Sequence, residues 1–295
     1  METWKRTVYI SLVCVFCTAF GVSQLAPILP LYFHDLGVQT PEAMSLWSGL
    51  ATGATYIIVC LAAPFWGRVA DKKGRKITLI RSSFGMALCN ALIAFQTTPE
   101  GVVLIRLIQG LVSGFYSASI TLIASETPIE RTGWALGLLA SANLAGSLIG
   151  PLLGGYIADT VGIRNDFIIV GALMGLAGVL ATIFIHENYV PKPNPEKLSI
   201  RKLKEQIPEF NSIVALCVAS FIYAICIMSL QPVISVYIKG IVPSDTENLA
   251  FIAGAVFSAM GIAQLMSSSP LGKLVDKVGP RKVLVVSLIY VGLFN

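Results

Sequence analysis

The chain has 295 residues, is 55% hydrophobic and only 13% charged, and carries a formal net charge of +5. A mean hydropathy of +0.76 lies outside the range of soluble domains and sets aside a water-soluble enzyme or binding module. The positive balance does not point to nucleic acid, because the basic residues cluster between apolar runs, where membrane topology accounts for them.

Apolar runs recur along the chain, each long enough to cross a hydrocarbon core about 30 Å thick. Spans are expected at 7–33, 46–66, 77–96, 102–125, 134–158, 167–185, 211–238 and 250–270, with a ninth starting near 283. The first is no cleaved signal peptide, since equally long runs follow it and no small-residue site ends it. A cytoplasmic N-terminus would put 18 of the 21 Lys and Arg residues on one side, which orients the chain in a plasma (inner) membrane. The fold class expected is all-α, a polytopic helical membrane protein. A six-helix bundle over 1–185 and a cytoplasmic linker over 186–210 would precede a partial second bundle over 211–295.

Along the first span, Cys14 and Cys17 form a CxxC, which on a membrane helix merely sets two small residues on one face. All six cysteines lie in apolar runs, and neither metal nor redox chemistry is expected of them. Pro27 and Pro30 would soften this helix. His34 and Asp35 end it; Asp35 is either embedded and proton-exchanging or a solvated helix-end acid. Next comes "GRVADKKGRK" (Gly67 to Lys76), expected as a loop with five positive charges around Asp71. Topology explains the lysines but not Asp71 or the flanking glycines Gly67 and Gly74. Such a carboxylate can meet the positive end of a neighbouring helix and form a contact that makes and breaks.

Arg106 falls about four residues inside the fourth span, where a charge costs roughly 2.5–3.5 kcal/mol unless it snorkels. By this register no Asp or Glu lies deep in any span to pair with it. In the fifth span, "GSLIGPLLGG" sets Gly146, Gly150 and Gly154 on one face for close helix contact, with Pro151 as a kink and Gly155 beside it. Embedded neutral polar residues (Gln24, Asn90, Asn143, Gln231, Gln264) can line a cavity or bond between helices. Phe20, Tyr32, Tyr56, Phe115 and Tyr116 can pack or offer stacking surface to lipophilic cations.

An offset of 205 residues relates the two ends of the chain: Pro27 to Pro232, Tyr32 to Tyr237, Gly49 to Gly254, Gly67 to Gly272, Asp71 to Asp276, Lys72 to Lys277 and Gly74 to Gly279. The halves are read as parallel repeats, a transporter construction. Residue 295 then matches residue 90, and a complete chain is expected to carry about a hundred residues more.

Gly67, Asp71, Lys72, Gly74, Arg75 and Lys76 resemble the signature G-x-x-x-D-[RK]-x-G-R-[RK] of the major facilitator superfamily. The resemblance implies a cytoplasmic gate between two six-helix bundles, with Asp276 as the second copy, docking near Gly133. Arg106, Gln109 and Gly110 resemble its R-x-x-Q-G pattern, implying a part in proton coupling, with Asp35 the nearest acid. Gly146, Gly150, Pro151, Gly154 and Gly155 resemble the antiporter motif of its twelve-helix drug:proton exporters. The implied activity is proton-coupled export of drugs or other lipophilic compounds by alternating access. The partners are those substrates, protons and the lipid bilayer. Alternatives are a carrier for another small solute and a truncated remnant that does not transport.

No catalytic residue, metal site or cofactor is expected. Both histidines, His34 and His186, sit at span ends and no carboxylate pair is buried. No GxxxxGK[ST] loop supports an ATP-driven pump.

Overall fold

The computed structural model describes residues 3–187, 189, 210–242, 248–279, 282–283, 285–287 and 289–290. Residues 188 and 190–209 of the expected linker lie outside them, as do 284, 288 and 291–295 of the expected ninth span. The described elements are α1 (Thr3–Ser23), α2 (Leu25–Asp35), α3 (Pro41–Lys73), α4 (Arg75–Ala94), α5 (Pro99–Val112), α6 (Phe115–Glu126), α7 (Ile129–Val161), α8 (Ile163–Phe184), α9 (Phe210–Ile241) and α10 (Leu249–Val278). Among the described residues, eight spans are long and apolar enough to cross a membrane, with α5 and α6 together forming one of them.

The helices start where capping chemistry allows. Thr40 Oγ1 accepts the Ala43 amide at 3.3 Å and Pro41 occupies the first helical position, so α3 begins five residues before the expected 46. Thr98 and Pro99 repeat the arrangement at α5, where Thr98 Oγ1 accepts the Gly101 amide. α7 and α8 likewise start earlier than expected, at 129 and 163. The charged ends are helical, not looped, because intrahelical bonds satisfy the backbone before it reaches water.

Two expected single helices are interrupted. Pro27 lacks an N–H, and the bonds around Gln24 lengthen to 3.4 Å from Gln24 N to Phe20 O and from Ile28 N to Gln24 O, separating α1 from α2. Between α5 and α6 the backbone passes through Gly114 at φ +112, a conformation that favours glycine.

α1 packs on α7 and α8, α4 on α8, and α3 on α5; α10 lies along α7, and α9 against α2. Tyr32, Phe33, Phe167, Leu122 and Leu139 are among the largest fully buried side chains. Tyr32 meets Phe167 edge-on with centroids 5.1 Å apart, and its hydroxyl donates to the Ile93 carbonyl at 2.7 Å. Large apolar side chains such as Ile57, Leu61, Leu88 and Leu104 point outward, as a lipid-facing surface requires.

Candidate functional site

A cavity of about 520 Å³ lies between α1, α3, α5, α6 and α7. Thr18, Ser23, Thr55, Tyr56, Arg106, Gln109, Phe115, Tyr116 and Asn143 are in its wall. Val59, Ser113, Gly114 and Ser117 are shared with a further cavity of about 370 Å³ that continues toward Gly67, Asp71 and Arg75.

The structure brings Arg106 and Gln109 together in this wall. They stand three residues apart on α5, on neighbouring turns of one face, and Arg106 Nη1 donates to Gln109 Oε1 at 2.7 Å. Both are buried, Arg106 with 7% of its surface exposed. Thr55 Oγ1 donates to the Arg106 carbonyl at 3.0 Å, tying α3 to α5. Gly110 makes that approach possible: a Cβ there would sit 2.5 Å from the Thr55 carbonyl. The R-x-x-Q-G residues thus divide into a charge, its hydrogen-bond partner and a contact point for α3.

Arg81 was missed by the sequence reading. Its guanidinium donates to the carbonyls of Leu111 at 3.0 Å and Ser113 at 2.9 Å, and it stacks 3.5 Å from the Trp66 ring centroid. Trp66 Nε1 donates to the same Leu111 carbonyl at 2.8 Å. These donors occupy carbonyls beside the α5–α6 interruption, backbone at membrane depth that lines a cavity. The only local signal was the Ser-Gly pair at 113–114.

Asp35 is not brought to Arg106. It lies at the end of α2, more than half exposed, with His34 Nδ1 3.8 Å from its carboxylate. A different acid is buried. Asp166 and Gln24 are each 0% exposed, and Gln24 Nε2 donates to Asp166 Oδ2 at 2.9 Å. The sequence reading looked for an acid deep in a span, whereas this one is buried at the start of a span by the helices around it. Gly162, at φ +90, lets α8 start at Ile163, and its first turn carries Asp166 into the core. The sequence signal was a carboxylate directly before an apolar run.

In the Gly67–Lys76 motif, Gly67, Asp71 and Lys72 occupy the last turns of α3, Gly74 is the sole break, and Arg75 and Lys76 open α4. The expected loop is corrected to a helix end and a one-residue hinge. Gly74 takes φ +91, and its repeat partner Gly279 takes φ +94 after α10. Glu187, unremarked in the sequence, caps α4: its carboxylate accepts the Arg75 and Lys76 amides at 2.8 Å each. Lys76 Nζ donates to the Thr182 carbonyl at 2.8 Å, and Tyr189 donates its hydroxyl to the Asp71 carbonyl. Asp276 lies within α10, and its side chain is outside the described residues.

The glycine ladder has a partner for each step. A Cβ on Gly146 would stand 2.6 Å from the Phe16 carbonyl and one on Gly150 2.5 Å from the Phe20 carbonyl, both on α1. Gly154 faces the Gln24 side chain. On another face Gly155 meets the Ala250 backbone, and the Pro151 carbonyl meets Gly254, the repeat partner of Gly49, on α10. Asp159 completes this seam by capping α10: Oδ1 accepts the Ala250 amide at 3.1 Å and Oδ2 the Phe251 amide at 2.7 Å. Ser258 Oγ adds a bond to the Leu148 carbonyl at 2.6 Å. Among the described residues no group of three His, Cys, Asp or Glu side chains is placed to hold a metal ion.

The family model described as Major Facilitator Superfamily matches residues 11–295. Multidrug resistance protein MdtG of Proteus mirabilis (strain HI4320) is 37% identical over 287 residues, covering 97% of this chain and 71% of that protein. MdtG of Dickeya zeae (strain Ech586) is 38% identical over 286 residues, covering 97% and 70%. Among solved structures, the bacterial homolog to human lysosomal transporter Spinster, inward-facing and unoccupied, aligns with a TM-score of 0.71 at 13% identity, covering 95% of this chain and 64% of that one. The D-xylose-proton symporter aligns with a TM-score of 0.63 at 16% identity, covering 93% and 68%.

Proposed function

Because the chain belongs to the Major Facilitator Superfamily, as a membrane transporter and not an enzyme, we propose that it exports lipophilic small molecules, drugs among them, in exchange for protons by alternating access. The observation that carries this reading is the cavity of about 520 Å³ with a buried Arg106–Gln109 pair in an otherwise mostly apolar wall. Such a cavity removes an apolar solute from water while one charge orients it or senses a nearby proton. The MdtG proteins, named for multidrug resistance, support export as the direction.

In this reading the N-terminus lies in the cytoplasm of the inner membrane, the orientation that the basic clusters favour. The domains are 1–185 and 211–295, joined by a linker at 186–210. The α7–α10 seam then closes the outer end, and the cavity continues toward the cytoplasmic helix ends. Gly67–Lys76 works as the inner gate. Asp71 and Asp276 make contacts to the opposite bundle that form in the outward-open state and break in the inward-open one. Arg106 takes part in coupling, and Gly146–Gly155 forms the helix contacts about which the bundles rock.

The test is dye efflux from cells lacking their own exporters and expressing the full gene. Energised cells should lose a lipophilic dye faster than controls, and a protonophore should abolish the difference. Dye accumulation instead of loss would select uptake, and efflux indifferent to the protonophore would remove proton coupling.

A further inference from the structure

We propose that Asp166 is a proton-binding site, held as a neutral carboxylic acid in a two-bond pair with Gln24. Gln24 Nε2 donates to Asp166 Oδ2 at 2.9 Å. Two atoms of the pair remain buried without a partner, Asp166 Oδ1 and Gln24 Oε1. Both are acceptors while Asp166 is ionised, so neither can satisfy the other. A proton on Oδ1 turns one of them into a donor, and O–H donates to Gln24 Oε1. The cyclic acid–amide pair then satisfies both orphaned atoms at once. No other single proton placement does so.

The surroundings favour the neutral acid. A buried ion without a counter-charge is too unfavourable to persist and takes up or releases a proton instead. On α8, Arg164 points away and donates to the Gln96 carbonyl. From α7, Asp159 is engaged with the amides of α10. At the end of α2, His34 and Asp35 face one another at the surface. From α4, Asn90 donates to the Met86 carbonyl and the Met174 sulfur.

The position also suits exchange. Gln24 faces Gly154 of α7, and Phe167 shares one buried cluster with Ala158 of α7 and Ala250 of α10, so the site adjoins the α7–α10 seam. Parting the seam would admit water, and Oδ1 would give its proton to that water or take one from it; only the O–H bond breaks or forms. Gln24 sits at the α1–α2 interruption, so the bond to Oε1 ties proton occupancy to that bend. This coupling half rests on the proton-exchange reading above; the proton-binding half does not.

Infrared spectroscopy of the purified full chain in lipid nanodiscs tests the binding half. At neutral pH the wild type should show the C=O stretch of a protonated carboxyl that is missing in Asp166→Asn. That variant keeps both bonds of the pair through its amide and so should fold. Gln24→Met should shift the band to the position of a carboxyl without a hydrogen-bond donor or acceptor beside it. Superimposable spectra for the wild type and Asp166→Asn across the pH range would overturn the site, and an unshifted band in Gln24→Met would overturn the pairing. For the coupling half, Asp166→Asn in vesicles should lose dye movement driven by a pH gradient while keeping dye binding. Gradient-driven movement equal to wild type would overturn it. A wild type that shows the band but ignores the gradient would overturn the proton-exchange reading and leave the proton-binding site supported.

Discussion

Gly150 and Gly137 lie on the same helix and illustrate how sharply context divides identical residues. A Cβ at Gly150 meets the Phe20 carbonyl at 2.5 Å, a backbone atom that cannot turn aside, whereas at Gly137 nothing lies within 4 Å. Gly150→Ala should destabilise by about 1–3 kcal/mol through overpacking, seen as earlier thermal unfolding in detergent. Gly137→Ala should leave stability unchanged or raise it by up to about 1 kcal/mol through helix propensity; equal effects of the two would refute the close-contact account. Glu187 offers a second residue-scale test. Glu187→Ala removes the cap from α4 and should cost about 0.5–2 kcal/mol, with faster amide exchange at Arg75 and Lys76. The glycine spacing was legible in the sequence because it is periodic. Glu187 was not, since it stands more than a hundred residues from the amides that it caps.

At the scale of elements, the interruptions decide where the cavity is. The α5–α6 break frees carbonyls at Leu111 and Ser113, and Arg81 and Trp66 satisfy them from α4 and α3. Arg81→Leu removes two donors; Trp66 still serves the Leu111 carbonyl, and the part-buried Ser113 carbonyl loses its donor at a cost of about 0.5–1.5 kcal/mol. Amide exchange should then accelerate around Gly114, while membrane insertion persists. Unchanged exchange there would mean that the break holds without Arg81. The sequence reading drew one continuous span over 102–125, because hydropathy averages over a window and a two-residue interruption leaves the average intact. The same insensitivity hid the true ends of α3, α7 and α8. Those ends are set by caps such as Thr40 and by glycines such as Gly162, not by where hydrophobicity fades.

At the scale of the molecule, α7 and α10 meet along a seam where glycine and proline bring the backbones together and Asp159 caps the second helix. A helix cap is reversible, so this seam can open without breaking covalent structure. Asp159→Ala should shift the population toward an opened seam. Spin labels at Thr160 and Asn248, both exposed, in a cysteine-free background should report a longer mean distance than with Asp159 present; an identical distribution would mean that glycine packing alone sets the closed state.

The membrane class, the approximate spans and the repeat at offset 205 were settled by the sequence alone, because each rests on composition or periodicity that no tertiary arrangement alters. So was the pairing of Gly74 with Gly279, which the structure gives nearly identical φ angles. The partners of Arg81 and Asp166 were decided only by the tertiary structure, whereas Arg106 and Gln109 are neighbours on one helix. The former depend on which helix face meets which neighbour, and hydropathy is blind to rotation about the helix axis. Asp166 and Gln24 are 142 residues apart, and only packing across α1 and α8 makes them one site.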